Sequence, residues 1–336
     1  MNLSSIQGKV FFTSDMPDVS IPANDATQVS VEADGDTLID ELMYPIGGFI
    51  ILTSLGELLE PYARKRLSCS VTIAAGNSSA TCTVLFAMAD VGMEASDFYG
   101  SHFLTILQGE KVTAMGRREQ LWYYGNESAY VTAEYDDGTE ETFNAVIGTS
   151  TSSYTCIMAS PDYYTASGKT LVAYTVSAGY RSQRFVVDLK QPDCAPILEF
   201  YNSFGVWEQI YCTGTHKVAP EYKRSTVRVN GLLTTYKVDE TRKFEADTGI
   251  LTVPMANWAD ELFRSDEVYV LNVINGTLQT GGKMVVITDS KSEVTNDDDN
   301  LPHFSFTYQY AQRIHNVLQA GRVGRIFDNT FDHTFN

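Results

Sequence analysis

The sequence predicts a mainly β protein: two to three β-sandwich or small-barrel domains with short helices and an extended C-terminal arm. Three observations carry that expectation. Apolar and polar residues alternate with period two in segment after segment, which puts every second side chain on one face of a strand. Aromatic residues make up 12% of the 336 positions, as 19 Tyr, 17 Phe and 3 Trp, and such side chains suit a pleated, half-buried surface. Helical periodicity shows in only two short segments.

Along the chain, Val29, Val31 and Ala33 alternate with Ser30, Glu32 and Asp34. Ser54 with Glu57 three residues on resembles a capping box, which predicts one or two helical turns over 55–60, stopping at Pro61. Alternating runs flank Gly76-Asn77-Ser78-Ser79 and read as a hairpin with strands near 69–75 and 80–88. Residues 1–88 thus form an N-terminal β domain. A middle β domain, 89–193, holds Trp122-Tyr123-Tyr124, an alternating Tyr130–Ala133 segment that stops at the turn Asp136-Asp137-Gly138, and strands near 154–158, 170–177 and 184–189. Pro192 and Pro196 interrupt any ladder and mark the next boundary. Residues 194–310 read as a C-terminal β-sandwich, with strands near 197–201, 209–213, 225–229, 234–238, 268–273, 284–288 and 303–310. Its helix spans 255–263, with Met255, Ala259, Leu262 and Phe263 on one face.

The remaining residues, 311–336, behave differently. Arg322 and Arg325 make a short basic stretch in an acidic chain, and Ile326, Phe327, Phe331 and Phe335 follow. A frayed end is the bland reading, but exposing so many large apolar side chains is unfavourable. The segment reads as an arm whose arginines meet an acidic surface and whose apolar residues anchor on a neighbouring copy or on the chain's own body.

Charge and cysteine usage exclude several classes. Lys and Arg number 24 against 42 Asp and Glu, a net charge of −18. Nucleic-acid binding needs clustered cations and is not expected, nor is adsorption to anionic membrane. No run of 18 apolar residues occurs, so no membrane span is expected. The first residues lack a basic patch leading into an apolar stretch, so cytoplasmic synthesis without a signal peptide is expected. Cys69, Cys82, Cys156, Cys194 and Cys212 include no C-x-x-C spacing and read as buried free thiols; a Cys69–Cys82 pair across the hairpin is the alternative.

Chemical motifs are scarce. His102, His216, His303, His315 and His333 stand alone, and there is no G-x-S-x-G, P-loop or G-x-G-x-x-G. Gly281-Gly282-Lys283 reads as a hairpin turn. Carboxylate pairs such as Asp260 and Glu261 have no distinguishing context. No enzyme, cofactor or metal centre is expected. Asp297–Asp299 and Asp34-Gly35-Asp36 are rich in oxygen ligands but do not fit the EF-hand pattern, and read as solvated turns. Trp122, Tyr123, Tyr163 and Trp207 are candidate platforms for sugar rings, with core packing the opposing reading.

Several stretches resemble a known group of proteins. They are Asn202-Ser203-Phe204-Gly205, Tyr211-Cys212-Thr213-Gly214, Tyr236–Arg242, Ala246–Gly249, Met255–Ser265, Ile287–Glu293, Phe304–Arg313 and Gly324–Asp332. Leu58-Leu59-Glu60-Pro61-Tyr62 adds a weaker match near the start. Together they resemble virion structural proteins of the tail or baseplate type, encoded by phages and prophages of Bacteroides-type gut bacteria. That resemblance implies a non-enzymatic virion component, partnered by copies of itself in a ring or multimer and by other tail proteins. The competing expectation is a glycan-binding, adhesin-like module at a tail tip or cell surface.

Overall fold

The computed structural model describes residues 1–151, 153–189, 196–271, 273–274, 277–278, 282–292 and 301–311. The chain is mainly β, with three α-helices among the described residues. Three sheet systems follow one another along it.

The first holds β1 (Val10–Phe12), β2 (Val19–Pro22), β3 (Thr27–Ala33), β4 (Asp36–Met43), β5 (Phe49–Leu52), β6 (Ser68–Ala75) and β7 (Ser78–Leu85). Five strands form a sheet in the order β1-β7-β6-β3-β4, parallel only between β1 and β7. The alternation seen in the sequence sets the register: Val29, Val31 and Ala33 are fully buried, and so are Val71 and Ile73 opposite them. The β2–β5 pair and helix α1 (Leu55–Arg66) cover that face.

Helix α1 corrects the expected short helix. It runs 12 residues, straight through Pro61, and Ser54 adopts a left-handed conformation without a side-chain cap bond. Pro61 removes one backbone donor and crowds the preceding turn. Leu55, Leu59 and Ala63, spaced by four, are all buried against the sheet, and that burial outweighs the lost hydrogen bond.

The second system is a sandwich. β8 (Lys111–Thr113), β10 (Ala129–Tyr135), β11 (Glu140–Asn144), β14 (Leu171–Ala178) and β15 (Arg181–Val187) form a sheet ordered β11-β10-β14-β15-β8, and β9 (Gln120–Tyr124), β12 (Val146–Ser150) and β13 (Tyr154–Met158) form a second, ordered β12-β13-β9. Their inner faces close on Tyr123, Val131, Ile157, Tyr174 and Phe185. A short helix absent from the sequence expectations, α2 (Ala95–Ser101), precedes them.

The third system begins with β16 (Ile197–Tyr201), β17 (Trp207–Tyr211), β18 (His216–Val229) and β19 (Leu232–Asp247), followed by helix α3 (Val253–Arg264) and β20 (Val268–Leu271). Two-residue strands β21 (Val273–Ile274) and β22 (Thr277–Leu278) precede β23 (Lys283–Lys291) and β24 (Ser305–Tyr310). Seven strands, ordered β17-β16-β20-β23-β24-β19-β18, curl into half a barrel. Helix α3 fills it with Met255, Trp258, Ala259 and Leu262. Thr252 caps α3 by accepting from the Met255 N–H, and Pro254 sits in the first turn, where a missing N–H is tolerated.

A shared aromatic cluster locks the three systems together. Phe12 and Leu85 of the first, Phe98, Leu104 and Tyr154 of the second and Phe204 of the third are buried in it. Phe204 stacks on Phe98 with ring centroids 5.2 Å apart. Tyr154 donates to the Leu67 carbonyl (2.6 Å), and the Met88 N–H donates to the Ser203 carbonyl (2.7 Å). Gly205, at φ +71°, lets the β16–β17 turn reach the first system, since a Cβ there would lie 2.8 Å from the Phe86 ring.

Cys69, Cys82, Cys156 and Cys212 are free and buried. Cys69 faces Val84 across the hairpin and Cys82 faces Val71, so the two are not opposed. Burial pushes the Cys69 thiol up to about 12 and that of Cys82 to about 11, far from the thiolate range needed for reactivity. Cys194 lies outside the described residues.

Candidate functional site

Two features stand apart from the packed body. The first is the β18–β19 ribbon. The sequence suggests two short strands at 225–229 and 234–238; the structure instead shows strands of 14 and 16 residues. Among the described residues only the base is supported, where β24 pairs with β19 over Lys243–Asp247. From Ala219 to Arg242 the two strands pair with each other and with no other described strand. At the base, Phe244 and Ala246 are buried. Side chains alternate in facing, so Val218, Tyr222 and Val238 continue that core-facing side outward, half exposed and interleaved with Arg224, which lies 5.5 Å from the centre of the Tyr222 ring, and with the Arg242–Glu240 pair. The tip is more exposed still: Leu232 is 73% exposed, Leu233 67% and Tyr236 68%. The opposite side carries charged pairs, Lys217–Glu245 at 3.0 Å and Lys243–Glu221 at 2.9 Å. Residues 217–243 hold seven basic and three acidic side chains, a local charge of +4 in a chain of −18.

A complementary surface lies on the first sheet system. β4 is the free edge of its sheet. Tyr44, Ile46, Phe49 and Ile51 near it are exposed, Ile46 to 88%. Residues 36–51 include Asp36, Asp40 and Glu41 and no Lys or Arg.

The second feature is a cleft of about 830 Å³ where the three systems meet. The C-terminal turn of α1, the chain after β7, Trp122 of β9, the β16–β17 turn and the end of α3 all contribute to its walls. Trp122 and Trp207 both line it and both are half-buried. Trp207 stacks on Tyr201 with centroids 3.6 Å apart, which fixes its ring. Arg64 and Asp266 pair at 2.7 Å and tie α1 to the segment after α3.

Beneath the cleft lies a buried polar network. Lys111 pairs with Glu119 at 2.8 Å and sits 4.6 Å from the centre of the Trp258 ring. Trp258 Nε1 donates to Glu208 Oε2 at 2.7 Å, and Asn202 Nδ2 donates to the same oxygen at 3.2 Å and to the Leu104 carbonyl at 2.7 Å. Glu261 Oε1 accepts from the Ser203 N–H at 3.0 Å and from the Ser203 hydroxyl. Burial, reinforced by the charge of Glu208, pushes the Glu261 carboxyl up to about 7. Burial likewise raises Glu208, against the opposing pull of Lys111. Among the described residues, Glu261 Oε2 and Trp122 Nε1 are buried without a hydrogen-bond partner.

The sequence-predicted sugar platform divides. Trp122 and Trp207 converge on the cleft. Tyr123 is corrected: it is fully buried in the sandwich core, its hydroxyl donating to the Glu127 carbonyl, because the β9 alternation turns it inward. Tyr163 is 49% exposed but is not among the cleft-lining residues. Glu261, dismissed in the sequence for lack of context, is the most perturbed acid at the cleft; no local signal marks it. The arm residues Arg322, Arg325, Ile326, Phe327, Phe331 and Phe335 lie outside the described residues, as do Asp297–Asp299. No described group of three or more His, Cys, Asp or Glu side chains is placed to hold a metal ion. No helix among the described residues is long and apolar enough to cross a membrane.

No protein-family model and no curated protein matches the chain. Solved structures give weak likenesses. A chimeric titin Z1Z2–Z1Z2 tandem carrying a GRGDS peptide from fibronectin is 13% identical, over 54% of this chain and 95% of that one, with a TM-score of 0.16. The BSP domain of a biofilm associated protein is also 13% identical, over 55% of this chain and 29% of that one, with a TM-score of 0.14. A titin I9–I11 tandem is 9% identical over 92% and 88% of the two chains, at 0.16. Likenesses this distant carry no functional argument. The fold itself defines the class: a mainly β protein of three interlocked sheet systems.

Proposed function

We propose that this chain is a self-assembling structural subunit of a virion, of the tail or baseplate type, acting by docking copies of itself and neighbouring tail proteins rather than by catalysis. The observation that carries this reading is the β18–β19 ribbon. An isolated two-stranded hairpin is marginal in water, and three strands or a packed face are needed to hold one. A ribbon that exposes Val218, Tyr222, Val238 and, at its tip, Leu232 and Leu233 therefore calls for a partner surface. Its positive charge favours the rest of its own strongly acidic chain. The β4 edge, with its exposed apolar residues and three carboxylates, is the acceptor we assign. A contact between two different surfaces on identical subunits is head-to-tail, and closes into rings where the rotation permits. The virion context rests on the sequence resemblance.

Light scattering after size-exclusion chromatography tests this on the full chain and on a variant joining Pro220 to Arg242 through Asn-Gly. A defined multimer that falls to monomer in the folded variant is the expected result. Lys223→Glu with Arg228→Glu should weaken assembly without touching the core. A full chain that stays monomeric at high concentration, or a multimer indifferent to both changes, would overturn the assignment.

A further inference from the structure

We propose that the cleft at the junction of the three sheet systems binds a neutral saccharide, held between the Trp207 and Trp122 rings and hydrogen-bonded to Glu261. Its volume, about 830 Å³, falls in the range of small-ligand pockets. Such pockets combine aromatic faces with a few placed polar groups, and a sugar ring offers both complements: an apolar C–H face and a rim of hydroxyls. The stacked Tyr201–Trp207 pair supplies a rigid platform, since Trp207 is also held edge-on by Tyr269 at 5.6 Å.

The polar contribution is specific. Glu261 is 3% exposed, and Ser203 occupies only its Oε1. Its second oxygen and Trp122 Nε1 are left without partners among the described residues. A buried polar atom without a hydrogen bond is unfavourable, so a ligand hydroxyl that reaches either atom from the cleft gains there. A hydroxyl donates and accepts, and neighbouring hydroxyls of one sugar suit an acceptor and a donor together.

Charge decides between a neutral and an acidic sugar. Four basic and four acidic side chains line the cleft. Arg64 is engaged by Asp266 and Arg264 by Asp260 at 2.5 Å. No net positive charge remains to favour an anion. The ribbon is a separate surface, and a saccharide here neither requires nor excludes self-assembly.

The test is a glycan array of neutral and uronate-containing oligosaccharides on the full chain, followed by tryptophan-fluorescence titration of any hit. Binding of a neutral oligosaccharide is expected, with quenching of the indole emission. Trp207→Ala should weaken it at least tenfold, Trp207→Phe should retain most of it, and Tyr163→Ala should leave it unchanged. Measured at pH 8.5, where the carboxyl is ionised, Glu261→Gln should weaken it several-fold, because an amide nitrogen donates where a carboxylate oxygen accepts. Melting curves confirm that each variant is folded. Absence of any neutral hit, a preference for uronates, or affinity unchanged by both Trp207→Ala and Glu261→Gln would overturn the assignment.

Discussion

Glu261 and Lys111 show how single residues at the junction set stability. The Glu261 carboxyl titrates near 7 in the folded protein, against 4.5 when unperturbed. Below pH 4.5 both folded and unfolded chains hold the proton. As pH rises, the unfolded chain releases it first, so stability falls until the folded carboxyl has also ionised. Melting temperature should therefore decline between pH 5 and pH 8, a loss of ~2–3 kcal/mol at this site. Glu261→Gln should flatten that decline and raise stability at pH 8, while changing little at pH 5. Lys111 counters two buried acids, Glu119 and Glu208. Lys111→Met would strand them, and urea unfolding should show a loss of ~3–5 kcal/mol. The packing of Trp122 and Trp207 illustrates the limit of local reading: both were visible as aromatic candidates, but only the meeting of β9 with the β16–β17 turn puts them on one cleft. Tyr123, their neighbour in sequence, points the other way and belongs to the core.

At the scale of elements, strand alternation was largely readable. The β6–β7 hairpin lies at Ser68–Ala75 and Ser78–Leu85, within a few residues of its expected place, because burial on one side of a strand leaves a period-two trace. Helix α1 was misjudged because a proline weighs heavily in a local reading, whereas the sheet against which α1 packs is remote in sequence. Pro61 is exposed, so Pro61→Ala restores a helical N–H without opening a cavity. It should stabilise the protein by ~1–3 kcal/mol in thermal denaturation. The ribbon was misread in length for the opposite reason. Its outer half lacks the burial pattern of an ordinary sheet strand, and exposed positions alternate only weakly. Leu232→Ser with Leu233→Ser should leave the melting temperature within about 1 °C, because both side chains are already in water. Under the proposed function, the same pair should reduce self-association measured by sedimentation.

For the whole molecule, charge distribution is the property with the clearest consequence. A ribbon of +4 on a chain of −18 makes any ribbon-mediated association electrostatic as well as apolar. Raising ionic strength from 0.05 to 0.5 M shortens the Debye length from ~14 to ~4 Å and should slow association and weaken it. A purely apolar contact would hold or tighten instead. The C-terminal arm belongs to the same question. If Arg322, Arg325 and the Phe residues near the terminus dock on neighbours, a chain ending at Ala320 should keep its melting temperature and lose assembly. An unfolded truncation product would place the arm in the core.

Strand content, the position of most strands, buried free thiols and the acidic character were legible from residue order, because alternation and composition are local properties. Which apolar faces stay uncovered, which aromatics meet and which carboxylate loses its solvent depend on contacts between residues as far apart as Leu67, Trp122, Ser203 and Glu261. Burial and desolvation are sums over neighbours in space, and only the folded chain assembles those neighbours.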